Sequence, residues 1–197
     1  MAKTIITIGR EYCTGGNYIA EDVANALGIK LYDKELITMA AKHSGLSEEA
    51  VAASEKRHTH SLLYSLYTMG NELPLGDQVF ILQSRIIKQL AEEGPCVILG
   101  RCADEALREA GIDSLNVFIH ADDIHRAVRA SELLGSTNAT EIQKLMAKKD
   151  NSRHTYYSHY TGKKWGDCHS YHLTLDSGAL GYDLCVKLIV EAAKSCE

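Results

Sequence analysis

The amino-acid sequence predicts an α/β fold in three layers: a mostly parallel sheet covered on both faces by helices, with a helical insertion and a lid. Three observations carry that expectation. A β-branched run, "KTIITI", leads into glycines and then into a stretch of helical period within residues 4 to 28. Short apolar segments thereafter alternate with helix-period stretches, the pattern of strands joined by crossover helices. Two long stretches, 43–94 and 138–165, contain no convincing strand and read as helical insertions that could close over a ligand.

The elements follow in order. "KTIITI" suits a strand buried on both faces. From Asn17 the period changes: Ile19, Val23 and Leu27 recur every four residues beside Ala20 and Ala24, and Gly28 supplies a stop. A short "IKLYD" strand precedes an apolar-periodic helix from about Lys34 to Lys42. "SEEAVAASEKR" and "GDQVFILQSRIIKQLAEEG" read as helices, with Ser47 and Asp77 near their starts. "PCVILG" (95–100) is the next strand, "DEALREAG" a helix, "SLNVFIHA" (114–121) a strand and "DDIHRAVRASELLG" a helix. Residues 138–165 are polar and basic, helical at first; "YHLTLDS" (171–177) is the last strand and "GYDLCVKLIVEAAKS" the closing helix.

A chain of 197 residues, 45% hydrophobic and 24% charged, is within reach of one soluble domain with a sizeable core. The formal net charge of −5 gives no global reason to expect nucleic acid or an anionic membrane as partner, so any site for a polyanion has to come from local clustering of Arg and Lys. The six cysteines form no CxxC pair, and several sit in apolar runs where a thiol acts as a small hydrophobe. With no signal peptide and no apolar run long enough to span a bilayer, a reducing cytoplasm is the expected location.

"TIGREYCTGGNYIAEDV" has the layout of a phosphate-binding loop: strand, glycine turn, helix. In such a loop, backbone N–H groups point inward and the helix presents its positive end to the anion. Cys13, Thr14, Gly15, Gly16 and Asn17 would form that cradle. Gly15 and Gly16 allow close approach, Thr14 adds a hydroxyl, and Asn17 or Tyr18 could reach a phosphate or a magnesium-bound water. The alternative is a glycine corner with no ligand. The lysine that such loops ordinarily carry is absent, since Gly16 and Asn17 follow Gly15. Arg10 is the local candidate to supply the lost charge, its planar fork suiting bidentate phosphate binding; the alternative is a pair with Glu11 or Asp33.

These residues carry a resemblance. "ITIGREYCTGGNYIAEDVANALGIKLYDKELI" resembles the opening of the cytidylate kinase-like proteins, a branch of the P-loop nucleoside monophosphate kinases in which a "SREYGSGGREIA"-type loop replaces the Walker A lysine motif. "VILGRCAD" (97–104), "VFIHADDIHRAVR" (117–129), "KKDNSRHTYYSHYTGKKWGD" (148–167) and "YHLTLDSGALGYD" (171–183) continue it over nearly the whole chain. The loop departs from that pattern at Gly9, Cys13, Thr14 and the "NY" pair. The resemblance implies a single P-loop NTPase domain with its core at 1–42, 95–137 and 169–197. A helical acceptor-binding insertion would span about 43–94 and a mobile lid about 138–168. It also implies transfer of phosphate from ATP, with Mg²⁺ held through nucleotide phosphates and water, to a small acceptor such as CMP or dCMP. Two rivals stay open: a nucleotide-binding regulatory protein without turnover, and a kinase whose acceptor is not a nucleotide. A homodimer is compatible with any of these.

Further residues are candidates by position. Arg101, directly after "CVILG", should emerge at a strand's carboxyl end, where ligands sit in open α/β sheets. In the kinase reading it grips the acceptor's α-phosphate; otherwise it caps a carbonyl or pairs with Asp104. Asp33, similarly placed after "KLY", could hold an acceptor hydroxyl or base or a magnesium water, or simply cap the helix that follows. Arg126 and Arg129 lie three apart on one helix face. By resemblance Arg126 would lie over the ATP base and Arg129 near the phosphates; without it they read as an exposed pair. The lid segment interleaves Lys148, Lys149, Arg153, Lys163 and Lys164 with Tyr156, Tyr157, Tyr160 and Trp165. Such alternation also suits single-stranded nucleic acid, which the acidic chain argues against. On this reading the missing charge is distributed, Arg10 below and Arg153 above, with Asp150 orienting Arg153 or a magnesium water. His154, His159, His169, His172 and Cys168 match no ordinary zinc spacing and read as surface residues.

Overall fold

The computed structural model describes residues 5–54 and 73–195. Five strands form one parallel sheet: β1 (Ile5–Arg10), β2 (Lys30–Tyr32), β3 (Cys96–Leu99), β4 (Leu115–His120) and β5 (Leu173–Asp176), in the order β2-β3-β1-β4-β5. β1 lies at the centre, with Ile5 opposite Cys96 on one side and Ile6 opposite Leu115 on the other. The connections leave β1 and β4 in opposite directions. The carboxyl ends of these strands therefore form the crevice in which open α/β sheets take ligands.

Strand alternation divides the apolar residues between two cores. Ile6, Ile8, Val97, Leu99, Val117 and Ile119 face one layer, where Ile19 and Val23 of α1 (Gly16–Leu27) and Ile189 of α9 (Tyr182–Ser195) pack on them. Ile5, Cys96 and Ile98 face the other, formed by α2 (Glu35–Ser44), α3 (Glu48–Ser54), α4 (Leu75–Glu93) and α5 (Ala103–Glu109). Leu36, Val51, Ile87 and Leu107 are buried there; each contributes about 1.5–3 kcal/mol relative to exposure. The helix expected over "SEEAVAASEKR" is seen as α3, its last three residues lying outside those described.

Local chemistry sets the boundaries. Ser47 caps α3 by accepting from the Ala50 amide at 3.2 Å, as its position predicts. Asp77 does not cap α4, which begins behind Pro74; its carboxylate accepts instead from the Tyr160 hydroxyl at 3.1 Å. α6 (Asp123–Leu134) is capped by Asp122, and α7 (Ala139–Thr161) by Asn138. α8 (Ser177–Leu180) is a single turn capped by Asp176.

α7 is 23 residues long and docked along its second half. Tyr160 stacks on Phe80 of α4 with centroids 3.9 Å apart, the Tyr157 hydroxyl donates to Asp104 at 2.7 Å, and Lys163 reaches Glu105 at 2.7 Å. The stretch that the sequence marks as a lid is thus fastened to α4 and α5 in this structure. No helix among the described residues is long and apolar enough to cross a membrane.

Candidate functional site

The chain leaves β1 at Arg10 and turns through Cys13 (φ 64°) and Gly15 (φ 73°) into α1. The Glu11 amide donates to the Ile119 carbonyl at 3.0 Å and the Tyr12 amide to Asp150 at 2.7 Å. Beyond them, no protein acceptor among the described residues takes the amides of Cys13, Thr14, Gly15, Gly16 or Asn17. Unpartnered amides ahead of a helix N-terminus suit an anion. Both glycines are required sterically. A Cβ on Gly15 would lie 2.2 Å from the Tyr182 ring, and one on Gly16 would lie 2.8 Å from Cβ and Cγ of Arg10.

The side chains of the loop are placed differently from the sequence expectation. Thr14 is buried; its hydroxyl donates to the Glu11 carbonyl at 3.0 Å, so the hydroxyl expected to face a phosphate closes the turn instead. Its carbonyl accepts from the Ser177 hydroxyl at 2.8 Å. Burial pushes the Cys13 thiol above its usual pKa. Asn17 is exposed and accepts from Nε of Arg10 at 3.4 Å, while the Tyr18 hydroxyl accepts from Arg129 at 2.9 Å.

The arginines separate by burial. Arg10 runs past Gly16 and Gly100 and brings Nη2 to 3.9 Å from Asp33. It reaches both the helix N-terminus and the pair with Asp33. Arg101 has φ 55° and ion-pairs with Asp33; it also donates to the Leu99 carbonyl at 3.1 Å. Asp104 is not its partner. Asp33 does not cap α2 either: Lys34 occupies that position without a side-chain cap, and the carboxylate faces the guanidinium groups.

Arg126 departs most from the expectation of a guanidinium over the ATP base. It is 6% exposed, donates to the Tyr12 carbonyl at 3.0 Å, and is bonded to Glu11 and Asp150. Those partners lie within the loop and on α7, so their attraction buries it. Burial raises the Glu11 pKa, with Arg126 opposing. Arg129, one turn on, is partly exposed, with its guanidinium 5.1 Å from the Tyr18 ring centroid and 3.1 Å from Glu132. Arg153 donates to the Arg10 carbonyl at 3.1 Å and lies 3.8 Å from Asp150. Burial lowers its pKa, and Asp150 partly restores it.

Among the described residues, a larger and a smaller cavity flank the loop. The larger, about 490 Å³, brings together Arg10, Asp33, Arg101 and Arg153 at the strand ends, with Asp104 and a wall of Tyr156, Tyr157, Trp165 and Tyr171. The smaller, about 230 Å³, is lined by Cys13, Thr14, His125, Arg129, Gly178 and Tyr182. Tyr171, which closes the larger cavity, and Tyr182, which covers Gly15, carry no signal in the sequence beyond their neighbouring strand and helix. Lys149 lines the larger cavity, whereas His154, His159 and His172 are dispersed and exposed. Asp167, Cys168 and His169 present ligand atoms within 4.8 Å of one another on an exposed turn. The Asp167 carboxylate there bonds to the His169 amide and ring.

No curated protein matches the chain. Among solved structures, an uncharacterized protein from Eubacterium ventriosum ATCC 27560 is similar at 27% identity and TM-score 0.74, covering 98% of this chain and 99% of that one. Shikimate kinase from Bacteroides thetaiotaomicron (12% identity, TM-score 0.56, 98% and 99% covered) and a gluconokinase from Sinorhizobium meliloti 1021 (13%, 0.55, 98% and 95%) share the fold. The parallel sheet and flanking helices are those of the P-loop kinases. A family model described as the cytidylate kinase-like family matches residues 5–179. The chain belongs to the cytidylate kinase-like family.

Proposed function

We propose that the protein is a small-molecule kinase that transfers the terminal phosphoryl group of ATP to a pyrimidine nucleoside monophosphate, CMP or dCMP. The observation that carries this reading is the row of unpartnered amides from Cys13 to Asn17 between two cavities. One cavity would take the nucleoside end of the donor against Arg129 and Tyr182, the other the acceptor. The acceptor side gathers Arg10, Arg101 and Arg153, whose charge matches an acceptor that is itself a phosphate.

In this mechanism no side chain is phosphorylated. An acceptor phosphate oxygen attacks the γ-phosphorus in line, the bond to the bridging oxygen breaks, and ADP leaves with that electron pair. The amides of residues 13–17 hold the donor phosphates, and Arg10 and Arg153 offset charge on the migrating group. Arg101, fixed by Asp33, orients the acceptor phosphate. Mg²⁺ would be carried by the nucleotide phosphates and water and would neutralise charge there. The segment at about 138–168 supplies Lys149, Arg153, Tyr156, Tyr157 and Trp165 to the acceptor cavity; of the insertion expected at about 43–94, residues 55–72 lie outside those described.

ADP release measured with ATP and CMP, dCMP, UMP or AMP, beside calorimetry of ATP binding, tests this directly. Turnover with a pyrimidine monophosphate is the expected result. ATP binding without turnover on any acceptor would favour a regulatory nucleotide-binding protein, and turnover on non-nucleotide acceptors alone would reassign the larger cavity.

A further inference from the structure

The two carboxylates that line the larger cavity among the described residues are in opposite states. Asp33 is ion-paired with Arg101 and approached by Arg10. Asp104 has no cation within 4.0 Å among the described residues; the Tyr157 hydroxyl donates to its Oδ2 at 2.7 Å. Its surroundings are aromatic. Tyr157 lies over Tyr171 with centroids 6.4 Å apart, Tyr171 meets Phe118 at 5.0 Å, and Trp165 stands edge-on to Phe118 at 5.2 Å. Burial pushes the Asp104 carboxyl up from its usual range, the Tyr157 hydrogen bond opposing.

The Asp104 carboxylate takes the Tyr157 hydroxyl and the Glu105 amide, and with no counter-charge beside it the acceptor capacity it keeps is open to a bound donor. The guanidinium groups of the same cavity belong to a separate network around Asp33 and the loop. An acceptor whose anionic end meets those arginines would turn its ring toward the aromatic wall. We propose that Asp104, oriented by Tyr157, selects the acceptor by taking a hydrogen bond from an exocyclic amino group on its ring. This rests on the nucleotide reading above and adds the group that reads the base. Cytosine carries an exocyclic amine where uracil carries a carbonyl oxygen. The carboxylate attracts the first and repels the second.

The experiment compares kcat/KM for CMP and UMP in the wild type, Asp104→Asn and Tyr157→Phe, with ATP affinity by calorimetry and thermal melting as controls. The wild type is expected to prefer CMP by about 100-fold, because the carboxylate that receives the cytosine amine meets a carbonyl oxygen at the same position of uracil. Asp104→Asn, whose amide can donate to a carbonyl, should lower the CMP:UMP ratio by about 10-fold or more, through KM for CMP and with ATP affinity unchanged. Tyr157→Phe should lower the ratio by a smaller factor. A ratio that Asp104→Asn leaves unchanged, or a wild type indifferent between the two, overturns the role of Asp104 while the nucleotide reading stands. Should Asp104→Asn fail to fold, an unchanged ratio in Tyr157→Phe overturns it. A wild type that neither binds nor phosphorylates either nucleotide overturns both readings.

Discussion

Arg126 and Arg10 approach the same loop from opposite sides and arrive in different conditions. Arg126 is buried, its guanidinium bonded to Glu11, Asp150 and the Tyr12 carbonyl, so that it bolts the loop to α6 and α7. Arg10 lies between two glycines and lines the larger cavity, with Asp33 3.9 Å from its Nη2. The same side chain serves as a fastener on one side and as a cation facing a cavity on the other. The difference lies in location: Arg126 sits among Glu11, Asp150 and the Tyr12 carbonyl, whereas Arg10 lines the larger cavity.

The comparison predicts a division between stability and turnover. Arg126→Ala leaves the half-buried Glu11 without its cation and Asp150 with Arg153 alone, and should destabilise the fold by at most about 3–5 kcal/mol, seen as a lowered urea midpoint. A variant that unfolds like the wild type would break the fastener assignment. Arg10→Ala should lower the urea midpoint less than Arg126→Ala does, yet cut phosphoryl transfer by about 10²–10³-fold. The comparison sharpens with Gly16→Lys. Alone it should abolish activity, because its side chain meets Arg10; combined with Arg10→Ala it should recover part of the turnover, the lysine entering the vacated space. Equal activity in Arg10→Ala and the double variant would argue against the relocation of charge.

A third charged cluster fastens the end of the α7 segment and responds to pH. Arg108 and Lys163 hold the Glu105 carboxyl down to about 2, against an ordinary value of 4.5. The folded-state pKa lies below the unfolded one, so this contribution is complete above pH 4.5 and is lost as pH falls toward 2. It amounts to at most about 3 kcal/mol. Glu105→Gln should flatten the stability profile across that window while sparing activity at neutral pH. The smallest effect is expected at the loop's exposed rim: Tyr18→Phe removes one acceptor of Arg129 and should weaken ATP binding about threefold, by calorimetry.

Much of this organisation is legible in the sequence. "KTIITI" and the four-residue spacing of Ile19, Val23 and Leu27 are local signals, and the sheet and α1 follow from them. The turn at Cys13 to Asn17 is also a local signal, since its glycines and the helix start that follows stand side by side in the sequence. The fate of Arg126 was not, since a surface pair three apart on a helix looks the same whether or not Asp150 arrives from a distant segment to enclose it. Thr14 misled for a related reason: a hydroxyl beside a phosphate loop suggests a donor to ligand, but the turn itself requires that proton at the Glu11 carbonyl. The aromatic wall of Tyr156, Tyr157, Trp165 and Tyr171 appears only when α7 and β5 are brought beside α5, a long-range event that no periodicity encodes.

β1 is the first of the described strands in chain order and the central one of the sheet. Cys96 and Leu115 begin the two strands it pairs with, so about ninety residues separate it from its nearest neighbour in the ladder. A nascent chain emerging from the ribosome would present Ile5, Ile6 and Ile8 with both hydrogen-bonding edges bare until those partners were synthesised. Topologies dominated by such distant pairing fold slowly and expose sticky intermediates. Deleting β1 would accordingly remove the hub around which the other strands assemble.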